Sequence, residues 1–156
     1  MELDIKNLDQ DTLLAFASLA VILLCFKVLY ANTFRLTLKR IALENRFMEP
    51  AQAWLLLVPI FNLYWNFEVA KRMADSLTNE FFDRKIAEEE SPGRTVGLTF
   101  AVINVLTVFP FSPSLLITIN LIYIFYFIYY WIKMNRFREL LKDHDLYLIE
   151  QKKKEE

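Results

Sequence analysis

The sequence predicts an all-α fold, a polytopic helical membrane protein, and three observations carry that prediction. Hydrophobic residues make up 55% of the 156 residues, with 14 Phe, 7 Tyr and 3 Trp, an excess over ordinary soluble domains that points to a lipid-facing surface. Charged residues still make up 24%, so the apolar residues must be gathered into blocks. Four such blocks stand at about 12–31, 51–67, 96–109 and 115–132, and about 20 residues of helix match the roughly 30 Å of a bilayer's hydrocarbon core. The full expectation is three transmembrane helices plus one short, Pro-broken segment, spanning or re-entrant, with amphipathic cytoplasmic helical extensions. Residues 1–150 form a single helical membrane domain, and 151–156 a charged tail.

Segment one runs from Thr12 to Ala31 and is interrupted only by Lys27, which lies close enough to the end to snorkel to the headgroups. Glu2, Asp4, Asp9 and Asp11 precede it against Lys6 alone. A secretory signal needs a positive start and a small-residue cleavage site, so this segment is expected to stay in the mature protein. From Asn32 to Phe47 the pattern turns amphipathic. Arg35, Lys39 and Arg46 share one helical face, readable as a basic face at the lipid surface or as a solvated one.

Segment two, Ala51 to Phe67, is short in its unbroken apolar part, and Pro59 removes a backbone donor from it. A run this short fits a re-entrant helix as well as a full span. The helical pattern continues through Ala70, Met73, Leu77 and Phe81 to about Ala87, with i,i+4 pairs Glu68–Arg72 and Glu80–Arg84. The run Glu88-Glu89-Glu90-Ser91-Pro92-Gly93 ends it in a turn.

Segment three, Val96 to Phe109, is broken by Pro110-Phe111-Ser112-Pro113 and pairs with segment four as a helical hairpin. Segment four, Leu115 to Ile132, has no charge and ends in Tyr129-Tyr130-Trp131 before Lys133, an interfacial anchor. Met134 to Ile149 reads as a further helix, and Gln151 to Glu156 as a frayed tail. With only two glycines, no small-residue dimer motif is expected.

Cation placement bears on orientation. The N-terminal stretch holds one Lys or Arg, Lys27 to Arg46 five, Lys71 to Arg94 five, the turn at Pro110 none and the stretch from Lys133 seven. Four crossings divide these 13 against 5. A re-entrant segment two divides them 17 against 1, with the N-terminus outside. The positive-inside rule prefers the second arrangement.

One face is informative. With residues 51–85 plotted as a single helix, Gln52, Pro59, Asn62 and Asn66 fall within about 80° of arc, and Trp54, Phe61 and Trp65 lie opposite. An amide is costly to leave bare among acyl chains, so the Asn side is expected to face protein or water and the Trp side lipid. Beyond the membrane the same face continues as Ala70, Met73, Leu77 and Phe81, a candidate protein-contact face toward other helices of the chain or another subunit. Asn104 and Asn120 sit centrally in segments three and four. Gln52, Asn62, Asn66, Asn104 and Asn120 are thus either interhelical packing groups or the lining of a polar path.

Catalytic chemistry is sparse. No carboxylate lies in the middle of an apolar block, and there is no phosphate loop, HExxH or nucleophile elbow. The single cysteine, Cys25, excludes an intrachain disulfide. His144, the only histidine, lies between Asp143 and Asp145, a triplet able to decorate a metal but read as solvated in a charged tail. No enzyme, cofactor, metal or nucleic-acid partner is expected at a net charge of −1.

The strings Met48-Glu49-Pro50, Trp54-Leu55-Leu56-Leu57-Val58-Pro59-Ile60-Phe61-Asn62, Trp65, Phe67, Asp75-Ser76-Leu77 and Glu80-Phe81 resemble a family of small bacterial integral membrane proteins of Bacteroidetes type. Tyr130-Trp131 with Lys133 resembles that family's C-terminal pattern. The likeness covers about a third of the chain and carries no activity. It implies only a bacterial inner-membrane setting, in which the apolar blocks make the chain multi-pass. The expected role is a non-enzymatic accessory or scaffolding subunit, in contact with the bilayer and with another membrane protein or itself. The alternatives are a small oligomeric channel or carrier with an Asn-lined path, and a membrane-shaping hairpin.

Overall fold

The computed structural model describes residues 9–86 and 88–155, and the regular structure among them is entirely helical. The acidic stretch Met1–Leu8, Ala87 (the expected end of the long middle helix) and Glu156 lie outside the described residues.

Helix α1 spans Gln10–Arg40, 31 residues or about 47 Å. The apolar block and the amphipathic stretch after it are one helix. Asp11 at its start and Lys39 and Arg40 at its end complement the helix dipole. Because α1 stops at Arg40, the expected face of Arg35, Lys39 and Arg46 does not form. Arg46 instead folds back and donates from Nε to the Ile41 carbonyl at 2.8 Å.

A 3₁₀ turn, Leu43–Asn45, leads to a 3₁₀ segment, Pro50–Leu57. Proline at the first position suits a helix start, and the Gln52 side chain accepts from the Glu49 amide at 3.0 Å. Pro59 then disfavours helix at Val58, which is extended at φ −74°, ψ 116°. Ile60 follows at φ 65°, ψ −52°, and Phe61 N–H donates to the Pro59 carbonyl at 2.6 Å. This is the strained form of the γ-turn, on a β-branched residue. Residues 51–85 are therefore not one helix. Helix α2, Phe61–Asp83, starts afresh after the turn.

Helix α3 is Arg94–Leu106, entered through Gly93 at φ 73°. Helix α4 is Pro113–Glu155, 43 residues or about 65 Å. Segment four, the separate helix expected after it and most of the supposed frayed tail are one element, because no Gly or Pro lies between Ser114 and Glu155 to interrupt it.

α1 and α4 run parallel and nearly in register. Phe26 meets Trp131, Tyr30 meets Phe127 and Tyr130, and Arg40 pairs with Asp145 at 3.1 Å. Trp131 Nε1 donates to Thr33 Oγ1 at 2.8 Å. α3 is antiparallel to α4, with Gly97 on Tyr130 and Phe100 on Tyr123 and Phe127. α2 is antiparallel to α3, since Asp75 pairs with Arg94 and Ala70 touches the Gly97 backbone. The 3₁₀ segment climbs back along α1, placing Arg35 over the Trp54 ring. The chain then turns at Val58–Ile60 and returns as α2. Segment two is thus a hairpin whose two ends lie at one end of the molecule.

The core is built where these elements overlap. Phe34 and Leu38 of α1 with Ile41 just past its end, Met73, Leu77 and Phe81 of α2, and Tyr130, Met134, Phe137 and Leu141 of α4 are fully or almost fully buried, the helical residues of each set at helical spacing. The rest of α1 and α4 stands clear of this body. Both are long and apolar enough to cross a membrane, and almost none of either apolar stretch is covered by the chain. The two glycines bear on the expectation of no small-residue motif. Gly93 and Gly97 are four apart, the spacing at which small residues let helices approach. They do so inside the chain: a Cβ on Gly97 would meet Tyr130 at 2.7 Å and Ala70 at 2.8 Å, and one on Gly93 would meet Met134.

Candidate functional site, a polar pocket and an apolar cleft between α1 and α4

The turn at Val58–Ile60 sends the first turns of α2 back against the 3₁₀ segment and α3. Asn62 and Asn66 then project toward Lys27 and Tyr30, and Asn104 reaches the same spot from α3. These five, with Leu56, Phe100, Tyr123 and Phe127, line a pocket of about 20 Å³, room for one water-sized group. Asn66 is 6% exposed and Asn104 8% exposed, and Asn62 is half-buried. Asn66 Nδ2 donates to the Asn62 carbonyl at 2.7 Å. The Tyr30 and Tyr130 hydroxyls are buried without a hydrogen-bond partner.

A larger cleft of about 530 Å³ adjoins the pocket, sharing Lys27, Asn104, Tyr123 and Phe127. Leu23 and Phe26 of α1 and Ile124, Ile128 and Trp131 of α4 make it largely apolar, and Thr107 and Asn120 add polar groups. That volume is within the range of small-molecule sites.

The expected polar set is therefore divided. Asn62, Asn66 and Asn104 meet. Asn120 is exposed, satisfies its Nδ2 on its own helix at the Leu116 carbonyl (2.8 Å), and reaches only the cleft. Gln52 is elsewhere: its side chain caps the 3₁₀ segment and its carbonyl accepts from Trp65 Nε1 at 3.0 Å. Trp65 also departs from expectation. It is buried at 6% exposure, because the break at Pro59 rotates α2 relative to the 3₁₀ segment and separates Trp65 from the exposed Trp54. Ala70, Met73, Leu77 and Phe81 are buried against this chain's own helices, Ala70 at Gly97 and Phe81 on Phe137.

At the opposite end, α1, α2 and α4 are tied by charge. The buried Glu80 accepts from the Ala42 amide and from Asn45 Nδ2, both at 2.9 Å, and from Arg84 Nε at 2.7 Å. Arg84 continues to Asp145 at 2.6 Å and to the Arg40 carbonyl at 2.8 Å. Burial opposes the Arg84 charge, but the hydrogen bonds it donates to Asp145 and Glu80 and their Coulombic pull outweigh it and hold its proton more tightly than usual. Asp145, half-buried, thus serves as an interhelical tie, and the His144 ring lies against Arg84. The i,i+4 pairs Glu68–Arg72 and Glu80–Arg84 both form, at 2.9 and 2.7 Å. Among the described residues, no three His, Cys, Asp or Glu side chains converge as metal ligands.

Reading the sequence alone missed Lys27, Tyr30 and Tyr123 as partners of the asparagines. One signal was present, since Lys27 is the lone charge in segment one. Nothing local marked the two tyrosines among so many aromatics. The chain matches no protein-family model, no curated protein and no solved structure.

Proposed function

We propose that the chain is a multi-pass inner-membrane protein acting as a non-enzymatic accessory or scaffolding subunit. In this reading α1, α4 and α3 with its following turn cross the bilayer. The 3₁₀–α2 hairpin enters from the cation-rich side and returns to it. The placement is supported by the uncovered apolar length of α1 and α4, surface that costs roughly 25 cal/mol per Å² in water and nothing in lipid. It also sets 17 cations against one, as the positive-inside rule favours. The inner-membrane setting follows the resemblance at residues 48–81.

The scaffolding role rests on one observation at the other end. At and beyond the Arg40–Asp145 tie the protein leaves apolar side chains bare: Leu43, Phe82 at 82% exposure, and Leu146 to Ile149 toward the end of α4. By their distance from the apolar spans these face water, where bare aromatic and aliphatic groups mark a protein contact. The test is purification from native membranes in mild detergent after cross-linking. One different membrane protein is expected in fixed ratio, lost in Phe82→Glu combined with Ile149→Glu while the melting midpoint holds. Recovery of the chain alone overturns the role.

A second reading, a small oligomeric channel or carrier, is favoured by the meeting of Asn62, Asn66 and Asn104 beside the cleft. It requires solute flux in liposomes from a homo-oligomer, lost on Asn62→Leu. Flux unchanged by that substitution excludes the asparagine path.

A further inference from the structure

We propose that the cleft between α1 and α4 binds one anionic phospholipid from the bilayer, an acyl chain lying in the cleft and a phosphate oxygen facing Lys27 and the asparagine amides. The inference rests on the membrane placement proposed above but not on the scaffolding role.

Three observations carry it. First, Lys27 has no ion pair or hydrogen bond among the described residues, although most other cations of the helical body are paired. Counted against the end of the apolar block at Ala31, Lys27 lies about 6 Å inside, a depth at which an unpaired ammonium is costly and a lipid phosphate is within its reach. Second, two polar groups of the pocket beside Lys27 are left without partners. The Tyr30 hydroxyl is buried and unpartnered among the described residues, and the Asn104 side chain, 8% exposed, makes no hydrogen bond among them while its backbone carbonyl accepts from Thr107. An ammonium, amide N–H groups and a phenol together suit an oxyanion, and the pocket admits one oxygen-sized group. Third, the adjoining cleft of about 530 Å³ is lined by Leu23, Phe26, Ile124 and Ile128 and shares Lys27 and Asn104 with the pocket. An anionic head beside a flexible hydrocarbon chain satisfies both parts together. Free phosphate would leave the cleft unfilled, and a neutral lipid would leave Lys27 unpaired.

The full chain is purified in mild detergent and incorporated into nanodiscs of phosphatidylcholine with a tenth phosphatidylglycerol, and lipid retained on the protein is counted by native mass spectrometry. One phosphatidylglycerol per chain is expected, enriched over its share of the disc. Lys27→Gln is expected to lower that enrichment about five-fold, and Lys27→Arg to keep most of it. Leu23→Trp, which fills the cleft from α1, is expected to reduce retention of either lipid. Retention in proportion to disc composition overturns the proposal, as does enrichment unaffected by both Lys27→Gln and Leu23→Trp. Equal protection against heating by inorganic phosphate without lipid overturns the choice of a lipid. If the membrane placement itself is wrong, the chain is released from membranes by alkaline carbonate, a result distinct from retention without head-group preference.

Discussion

Replacing Gly97 with alanine puts a methyl group where three helices meet. The added Cβ would lie 2.7 Å from the Tyr130 ring and hydroxyl and 2.8 Å from the Ala70 Cβ. Ala70 has no rotamer with which to give way, and Tyr130 is 2% exposed, so α2 or α3 must shift. Overpacking of this kind costs about 1–3 kcal/mol. Alanine's better helix propensity returns about 1 kcal/mol, leaving a net loss of up to about 2 kcal/mol. Tyr130→Phe acts oppositely. It removes a buried hydroxyl without a partner, which relieves a desolvation penalty of about 1 kcal/mol or more. In the double variant the hydroxyl contact is gone but the ring and Ala70 contacts remain, so the pair is expected to exceed additivity by no more than about 1 kcal/mol. The assay is unfolding in mixed micelles by a denaturing detergent, followed by circular dichroism, on all four proteins of the cycle. Gly97→Ala more stable than wild type by about 1 kcal/mol, the full propensity gain with no steric cost, refutes the close approach of α2, α3 and α4. Tyr130→Phe less stable by more than about 1 kcal/mol shows that the hydroxyl has a partner and refutes the account of an orphaned group.

Three further outcomes follow from the geometry. Glu80→Leu removes the acceptor of Ala42, Asn45 and Arg84 and is expected to cost about 3–5 kcal/mol in the same unfolding assay; a loss under about 1 kcal/mol means the tie is not formed. Ile60→Gly relieves the positive φ of 65° and is expected to stabilise by about 1 kcal/mol; destabilisation by that amount shows the turn is held by the isoleucine side chain. Asn66→Leu, which breaks the bond to the Asn62 carbonyl, is expected to cost about 0.6 kcal/mol, whereas Asn120→Leu, bonded only to its own helix, is neutral or stabilising. Equal losses at both positions contradict the division of the asparagines between pocket and exposed face.

Local pattern made much of the fold legible. The apolar blocks at 12–31 and 115–132, the Pro-Gly turn at 92–93 and the i,i+4 pairs at Glu68 and Glu80 each depend on neighbours a few residues away. Misreadings occurred where a distant contact or a backbone switch decided. Plotting 51–85 as one helix placed Trp54 and Trp65 together, but proline followed by a positive φ at Ile60 resets the phase, so Trp65 is buried and Gln52 becomes a cap. Nothing in the sequence near Asp145 points to its partner Arg84, 61 positions away. Gly93 and Gly97 were discounted by number when their spacing was the informative property.

The chemistry of single segments was determined by the sequence alone: which stretches are helical, which are apolar enough for lipid, and which amides are too costly to face acyl chains. Those properties follow from periodicity and solvation, which act locally along the chain. Only the tertiary structure decided that α1 and α4 run parallel, that the Ala70–Phe81 face is consumed within the chain, and that Lys27 joins Asn62, Asn66 and Asn104 beside a cleft. Such meetings depend on helix direction and phase across turns, and a single strained residue such as Ile60 redirects both.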